Sequence, residues 1–127
     1  MLDKVCLIFV FAWFAIGGVG HFAGTEFFVS IVPPYVPQAR LVVLVSGVFE
    51  LLGAAGLLYR PTRKSAAFGL FLLTLCVTPA NVYMWQHADK FASIPPVLLG
   101  IRLLVQLVLL AAILRVATSA QRSNQRA

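Results

Sequence analysis

The sequence predicts an all-α integral membrane protein, a bundle of four helices that each cross the bilayer. Hydrophobic residues make up 61% of the chain and charged residues 11%, a composition outside the range of soluble globular domains. The apolar residues are gathered into four long stretches, and a helix over each reaches nearly across a hydrocarbon core of about 30 Å. We expect one domain over 1–127, with helices at 5–20, 41–59, 65–85 and 97–118 and a basic tail at 119–127.

The first stretch follows Lys4 and ends near Gly18 and Gly20, a pattern that a cleavable signal peptide also shows. Removing it would leave three spans and place the two termini on opposite sides of the membrane. The charges of the loops fit four spans better. We therefore expect the first helix to be retained.

The second and third stretches are joined by a basic link, 60–64, in which we expect Pro61 to end the second helix. If the spans alternate, seven basic residues fall on the side of the termini: Lys4, Arg60, Arg63, Lys64, Arg115, Arg122 and Arg126. This asymmetry predicts that both termini are cytoplasmic. Because topology accounts for the basic excess, we expect the lipid bilayer as a partner and no nucleic acid.

The outer segment between the first two spans, 21–40, is apolar but contains Pro33, Pro34 and Pro37. Three prolines so close together exclude a continuous helix there. Its aromatic residues favour the membrane interface. We expect a proline-rich cap over the outer mouth of the bundle.

Polar residues inside the spans or at their outer edges form the candidate ligand-binding site: His21, Ser46, Glu50, Asn81, His87, Arg102 and Gln106. Hydrocarbon satisfies neither charges nor hydrogen bonds, so such residues pair with one another or serve a site. We expect Arg102 to pair with Glu50, bridged by Ser46 or Gln106. Two interpretations stay open, a structural ion pair that fixes the helix register and a ligand site.

Pro79 in the third span removes the donor for the carbonyl of Leu75 and predicts a kink. We expect Asn81 or a neighbouring hydroxyl to fill the gap, either structurally or as part of the ligand site. The two cysteines, Cys6 and Cys76, are expected to pack as small apolar residues without a disulfide. The sequence contains no catalytic motif and no convincing metal site, so we assign no catalytic or metal-binding residue.

Several short motifs resemble the DoxX family of small four-helix bacterial membrane proteins, over residues 17–110. They are Gly20-His21-Phe22, the proline-rich run 31–37, Ser46-Gly47-Val48-Phe49-Glu50, Gly56-Leu57-Leu58, the run 79–84 and Arg102 with Gln106. The resemblance implies a multi-pass protein of the bacterial inner membrane that is linked to redox processes. It also implies a redox-protein partner, and any redox activity would be that of a subunit of a quinone-linked oxidoreductase.

The favoured function is that of an accessory or ligand-binding subunit that holds a quinone- or lipid-like molecule beneath the cap. Asn81, Arg102 and Gln106 would hydrogen-bond the ligand, and Glu50 would exchange a proton. One alternative is a small homo-oligomeric, proton-coupled transporter in which Arg102 binds an anionic substrate. The other is a purely structural scaffold for a redox partner. An autonomous enzyme is not expected.

Overall fold

The computed structural model describes residues 1–127 and contains five α-helices and no strands. The helices are α1 (Leu2–Ala23), α2 (Thr25–Ile31), α3 (Ala39–Leu58), α4 (Arg60–Gln86) and α5 (Pro96–Arg126), with a 3₁₀ turn at Ala88–Phe91. Four of them, α1, α3, α4 and α5, are long and apolar enough to cross a membrane. The chain is therefore all-helical, with the four candidate spans of a multi-pass membrane protein.

The four long helices form an antiparallel ring in which α1 packs on α3, α3 on α4, α4 on α5 and α5 on α1. Asp3 at the start of α1 pairs with Arg115 near the end of α5, with 2.7 Å between Oδ1 and Nε. We call this the terminal end of the bundle, and it also holds the turn between α3 and α4. The far end holds α2, the irregular segment 32–38 and the 3₁₀ turn.

The predicted helix limits were too short at several points. The first helix extends beyond 5–20 to Ala23, and the last continues beyond 97–118 to Arg126, so the expected tail at 119–127 is almost entirely helical. The alanine, glutamines and arginines of that last part have good helical propensity, which hydropathy alone does not register.

The basic link 60–64 was also predicted wrongly, because Pro61 does not end the second helix. Tyr59 alone separates α3 from α4, and Pro61 lies in the first turn of α4, where a missing N–H costs nothing. Thr62 Oγ1 donates to the carbonyl of Gly56 at 2.8 Å, and Arg63 Nε donates to that of Leu57 at 2.7 Å. These residues satisfy the last carbonyls of α3 instead of forming a separate connector.

The segment 21–40 contains a helix, α2, which was not predicted because the segment was interpreted from its prolines. Thr25 Oγ1 donates to the carbonyl of His21 at 2.7 Å, which holds the break at Gly24 between α1 and α2. The irregular backbone begins at Val32, directly before the prolines, and Gln38 adopts a left-handed conformation with φ of 51° before α3 begins.

Two apolar clusters stabilise the bundle, one in its terminal half and one at its far end. The larger includes Val10, Leu57, Leu70 and Ile113. The smaller joins Ile31 of α2 to Met84, Phe91 and Leu99. Many large apolar side chains on the outside of the ring are exposed, as contact with a lipid bilayer requires: Ile8, Ile16, Leu52, Leu72, Leu104, Leu107 and Val108.

Candidate functional site

A cavity of about 570 Å³ lies between the two apolar clusters. Its wall includes Phe14 and Leu109 from the larger cluster and Ile31 from the smaller one. Six of the seven predicted site residues are also part of this wall: His21, Ser46, Glu50, Asn81, Arg102 and Gln106. A mostly apolar cavity with a few convergent polar groups is the usual form of a small-molecule site.

His21 is the centre of the polar contacts between α1 and α3. Its ring nitrogen Nδ1 lies 2.8 Å from the carbonyl oxygen of Val43 and 3.1 Å from Oγ of Ser46. Its other nitrogen, Nε2, faces Glu50 Oε1 at 3.4 Å. The ring stacks on Phe28 of α2 at a centroid distance of 4.1 Å, and His21, Ser46 and Glu50 are all buried.

The contacts of His21 indicate how its ring interacts with the carboxyl group of Glu50. A carbonyl oxygen only accepts, so Nδ1 of His21 carries the hydrogen donated to Val43. If the ring were neutral and Glu50 ionised, the lone pair of Nε2 would face a carboxylate, which is repulsive in a low-dielectric site. An ion pair between the protonated ring and the carboxylate of Glu50 avoids this repulsion and is neutral as a unit.

Two glycines make room for this pair. A Cβ on Gly47 of α3 would lie 2.7 Å from Cβ of His21, and a Cβ on Gly17 of α1 would lie 2.8 Å from Oε2 of Glu50. Small residues at such crossings let membrane helices approach closely. The glycines thus bring α1 near enough to α3 for His21 to reach the Val43 carbonyl.

The expected ion pair between Arg102 and Glu50 is not formed, and the bridge by Ser46 or Gln106 is absent with it. Glu50 contacts His21, and Arg102 Nη1 lies 4.0 Å from Sδ of Met84. The prediction failed because it ended the first helix at 20 and left His21 at the interface. In the structure α1 continues past His21, which packs inward against α3 and takes the position expected of Arg102.

A second polar group connects α4 to α5 through the side-chain amide of Gln106. Asn81 Nδ2 donates to Gln106 Oε1 at 2.5 Å, and Gln106 Nε2 donates to Thr78 Oγ1 at 2.6 Å. Thr78 in turn donates to the carbonyl of Thr74, and Thr74 to that of Leu70. Each of these side chains is satisfied by a neighbour.

The expectation at Pro79 is corrected by the same contacts. Asn81 donates to Gln106, and the hydroxyl of Thr78 donates to the carbonyl of Thr74, so neither fills the gap at Leu75. The helix α4 continues through Pro79 from Arg60 to Gln86. Asn81 instead donates across to α5, where the amide oxygen of Gln106 accepts its N–H.

Replacement of Gln106 by leucine should lower the free energy of unfolding by about 1–2 kcal/mol. The change leaves the amide of Asn81 without its acceptor and Thr78 without its donor, and hydrogen bonds inside membrane bundles are worth about this much. Reversible unfolding in mixed micelles, followed by circular dichroism, measures the loss. Gln86→Leu is the matched control, because Gln86 is exposed at the end of α4 and is expected to change stability by less than about 0.5 kcal/mol. Equal losses in both variants would contradict the role of Gln106.

Of the seven predicted site residues, His87 is the one that does not lie on the cavity wall. Its Nδ1 lies 2.9 Å from the carbonyl of Tyr83, and its ring stacks on that of Tyr83 at 4.1 Å. Its position beyond the last turn of α4 keeps it at the far end.

Sequence reasoning missed Thr74, and it did not predict that Thr78 bonds to Gln106 or that Gly17 and Gly47 make room for His21 and Glu50. Thr78 lies three positions before Asn81, a spacing that places both on one helix face and that was a usable signal. The roles of Gly17 and Gly47 depend on which helix lies opposite, which the sequence does not specify. No group of three or more histidine, cysteine or acidic side chains is arranged to hold a metal ion.

Comparison with known proteins corrects the family resemblance. Residues 10–117 match a family described as a domain of unknown function (DUF8561), and the DoxX family does not match. No curated protein and no solved structure matches the chain. The redox association, the redox partner and the bacterial inner-membrane location implied by the DoxX resemblance therefore have no support from relatives.

Proposed function

Since the chain belongs to the DUF8561 family, whose function is unknown, we propose a function from its cavity: the protein binds a quinone- or lipid-like amphiphile within the membrane. The observation that carries the proposal is the cavity of about 570 Å³, which is surrounded by the four candidate spans and combines apolar walls with a few polar groups. Pockets of a few hundred cubic ångströms are typical of small-molecule sites.

The division of the polar groups favours a particular orientation of the ligand. Asn81 and Gln106 are occupied with each other, whereas the guanidinium of Arg102 and the proton of the His21–Glu50 pair border the cavity. The polar head of the ligand is therefore bound by Arg102 beside that pair. The tail lies against apolar wall residues such as Phe14 and Leu109.

Protein purified in mild detergent should retain an amphiphile that lipid extraction and mass spectrometry detect as enriched over an empty-micelle control. Ala80→Phe places a large ring into the cavity wall and should lower the retained amount by about tenfold or more, equivalent to about 1.4 kcal/mol of binding free energy. Ala55→Phe is the matched control on the exposed face of α3, and it should retain the ligand at the unmodified level. Absence of any enriched molecule would argue for the alternative of a purely structural scaffold.

A proton-coupled carrier is the second candidate, and the shared proton of His21 and Glu50 favours it. Four helices offer little room for alternating access within one chain, so this function requires a homo-oligomer. Native mass spectrometry of the same preparation distinguishes the two, because a strictly monomeric protein is incompatible with the carrier.

We also propose that the terminal end of the bundle faces the cytoplasm. The seven basic residues of that side outnumber the two of the far end, Arg40 and Lys90. Positively charged loops are retained on the cytoplasmic side during insertion. The irregular segment 32–38, which contributes Val32, Pro33, Tyr35 and Val36 to the cavity wall, would then cap the cavity from outside.

A further inference from the structure

Arg102 is a cation on the cavity wall that forms no ion pair with any residue of the chain. The three ion pairs of the protein join His21 with Glu50, Glu26 with Arg40, and Asp3 with Arg115. Nη1 of Arg102 lies 4.0 Å from the thioether sulfur of Met84, which is a weak acceptor. Most of the five N–H donors of a guanidinium are thus available to a ligand.

The rest of the cavity wall does not neutralise this charge. Glu50 faces Nε2 of His21 at 3.4 Å, and as an ion pair these two residues are neutral as a unit. The other polar wall residues, Ser46, Thr74, Asn81 and Gln106, carry no charge. The cavity therefore has a single uncompensated positive charge, and an isolated charge away from water is costly.

We infer that the ligand is an amphiphile with an acidic head group, a carboxylate or a phosphate, which pairs with the guanidinium of Arg102. This inference rests on the proposed ligand-binding function and specifies its ligand. Arginine binds such groups through two parallel charge-assisted hydrogen bonds, which are stronger than hydrogen bonds between neutral groups. A neutral quinone head would leave the charge of the cavity uncompensated.

The same wall offers a route for a long tail. Trp13 and Ile16 of α1 and Cys76 of α4 belong to the cavity wall and are also exposed on the outside of the bundle. The cavity thus reaches the surface at the level of the candidate spans. A tail longer than the cavity extends there into the surrounding hydrocarbon, so one-chain and two-chain amphiphiles are both accommodated.

The position of Trp13 provides a direct assay. Trp85→Phe leaves Trp13 as the single tryptophan, because Trp85 is not part of the cavity wall. Quenching of Trp13 by stearic acid that carries a nitroxide on its chain reports binding, and the methyl ester of the same probe differs only in its head group. At alkaline pH, where the carboxyl group is ionised, the acid should bind at least about tenfold more tightly than the ester. A spin-labelled phosphatidic acid tests whether a phosphate head serves equally.

Substitutions of Arg102 test whether this residue causes the preference for the acid over the ester. Arg102→Leu should abolish the preference, so that acid and ester bind with equal affinity, and Arg102→Lys should restore part of it. Arg40→Leu is the matched control, because Arg40 is an exposed cation of the far end, paired with Glu26 outside the cavity, and its loss should change nothing.

Equal binding of acid and ester by the Trp85→Phe protein would overturn the inference while sustaining the ligand-binding function. Quenching by none of the probes would overturn both. The comparison of acid with ester requires no change at Arg102, so it remains decisive even if the Arg102 variants do not fold.

Discussion

Replacement of Glu50 by leucine should lower the free energy of unfolding by about 3 kcal/mol. The change leaves Nε2 of His21 facing the cavity without the group that shares its proton, and loss of one partner from a buried polar pair costs about this much. Glu50→Gln should cost less than about 1 kcal/mol, because the amide N–H donates to Nε2 while Nδ1 continues to donate to Val43. Unfolding in mixed micelles, followed by circular dichroism, measures both.

A double-mutant cycle identifies the true partner of Glu50. His21→Leu combined with Glu50→Leu should lose less stability than the sum of the single losses, with a coupling energy of about 1–3 kcal/mol. The cycle between Arg102→Leu and Glu50→Leu should give less than half of that value, since Arg102 makes no ion pair with Glu50. The reverse order of the two coupling energies would refute the arrangement described above.

Gly47→Ala should lower the free energy of unfolding by about 1–3 kcal/mol, the usual cost of overpacking. The new Cβ would lie 2.7 Å from Cβ of His21 and 3.1 Å from the ring of Phe22. The Cβ of His21 is fixed to the backbone of α1, so relief requires the two helices to separate. That separation also lengthens the hydrogen bond from His21 to Val43.

Gly69→Ala is the matched control for this substitution. Gly69 also lies inside a candidate membrane-spanning helix, but a Cβ there has no neighbour within 4 Å. Alanine favours helix by up to about 1 kcal/mol over glycine, so this variant should be neutral or slightly more stable. A loss at Gly69 as large as that at Gly47 would show that the substitution acts through the helix itself.

The sequence was sufficient to predict the four spans, because a hydrocarbon core imposes the same length and apolarity on every helix that crosses it. It also predicted six polar residues of the cavity wall, although not Thr74, because polar groups in hydrocarbon must lie inside the bundle. The helix α2 was missed because its apolar residues are followed directly by Pro33 and Pro34, which dominated the interpretation of the whole segment.

The partners within the site were not predictable in the same way. One turn of helix advances the chain by about 5.4 Å, so a small change in the end of α1 decides whether His21 or Arg102 reaches Glu50. The family assignment failed for a related reason. Prolines and aromatic residues at the membrane interface recur in unrelated membrane proteins, because the interface selects them.

The hydrogen bonds of the polar side chains divide the bundle into two halves. His21 and Ser46 bond within the pair of α1 and α3, and Asn81, Gln106 and Thr78 bond within the pair of α4 and α5. The polar side-chain links between the halves lie at the terminal end, where Arg115 meets Asp3 and the start of α4 bonds the end of α3.

The two halves are therefore joined by polar side-chain contacts at the terminal end, whereas apolar side chains alone hold them together at the far end. Apolar contacts have no preferred direction, so the two halves can separate gradually at the far end without breaking a side-chain hydrogen bond. On the proposed function, ligands of different width would then fit between the two halves at similar cost. The charge of Arg102 would then select among these ligands by the charge of their head groups.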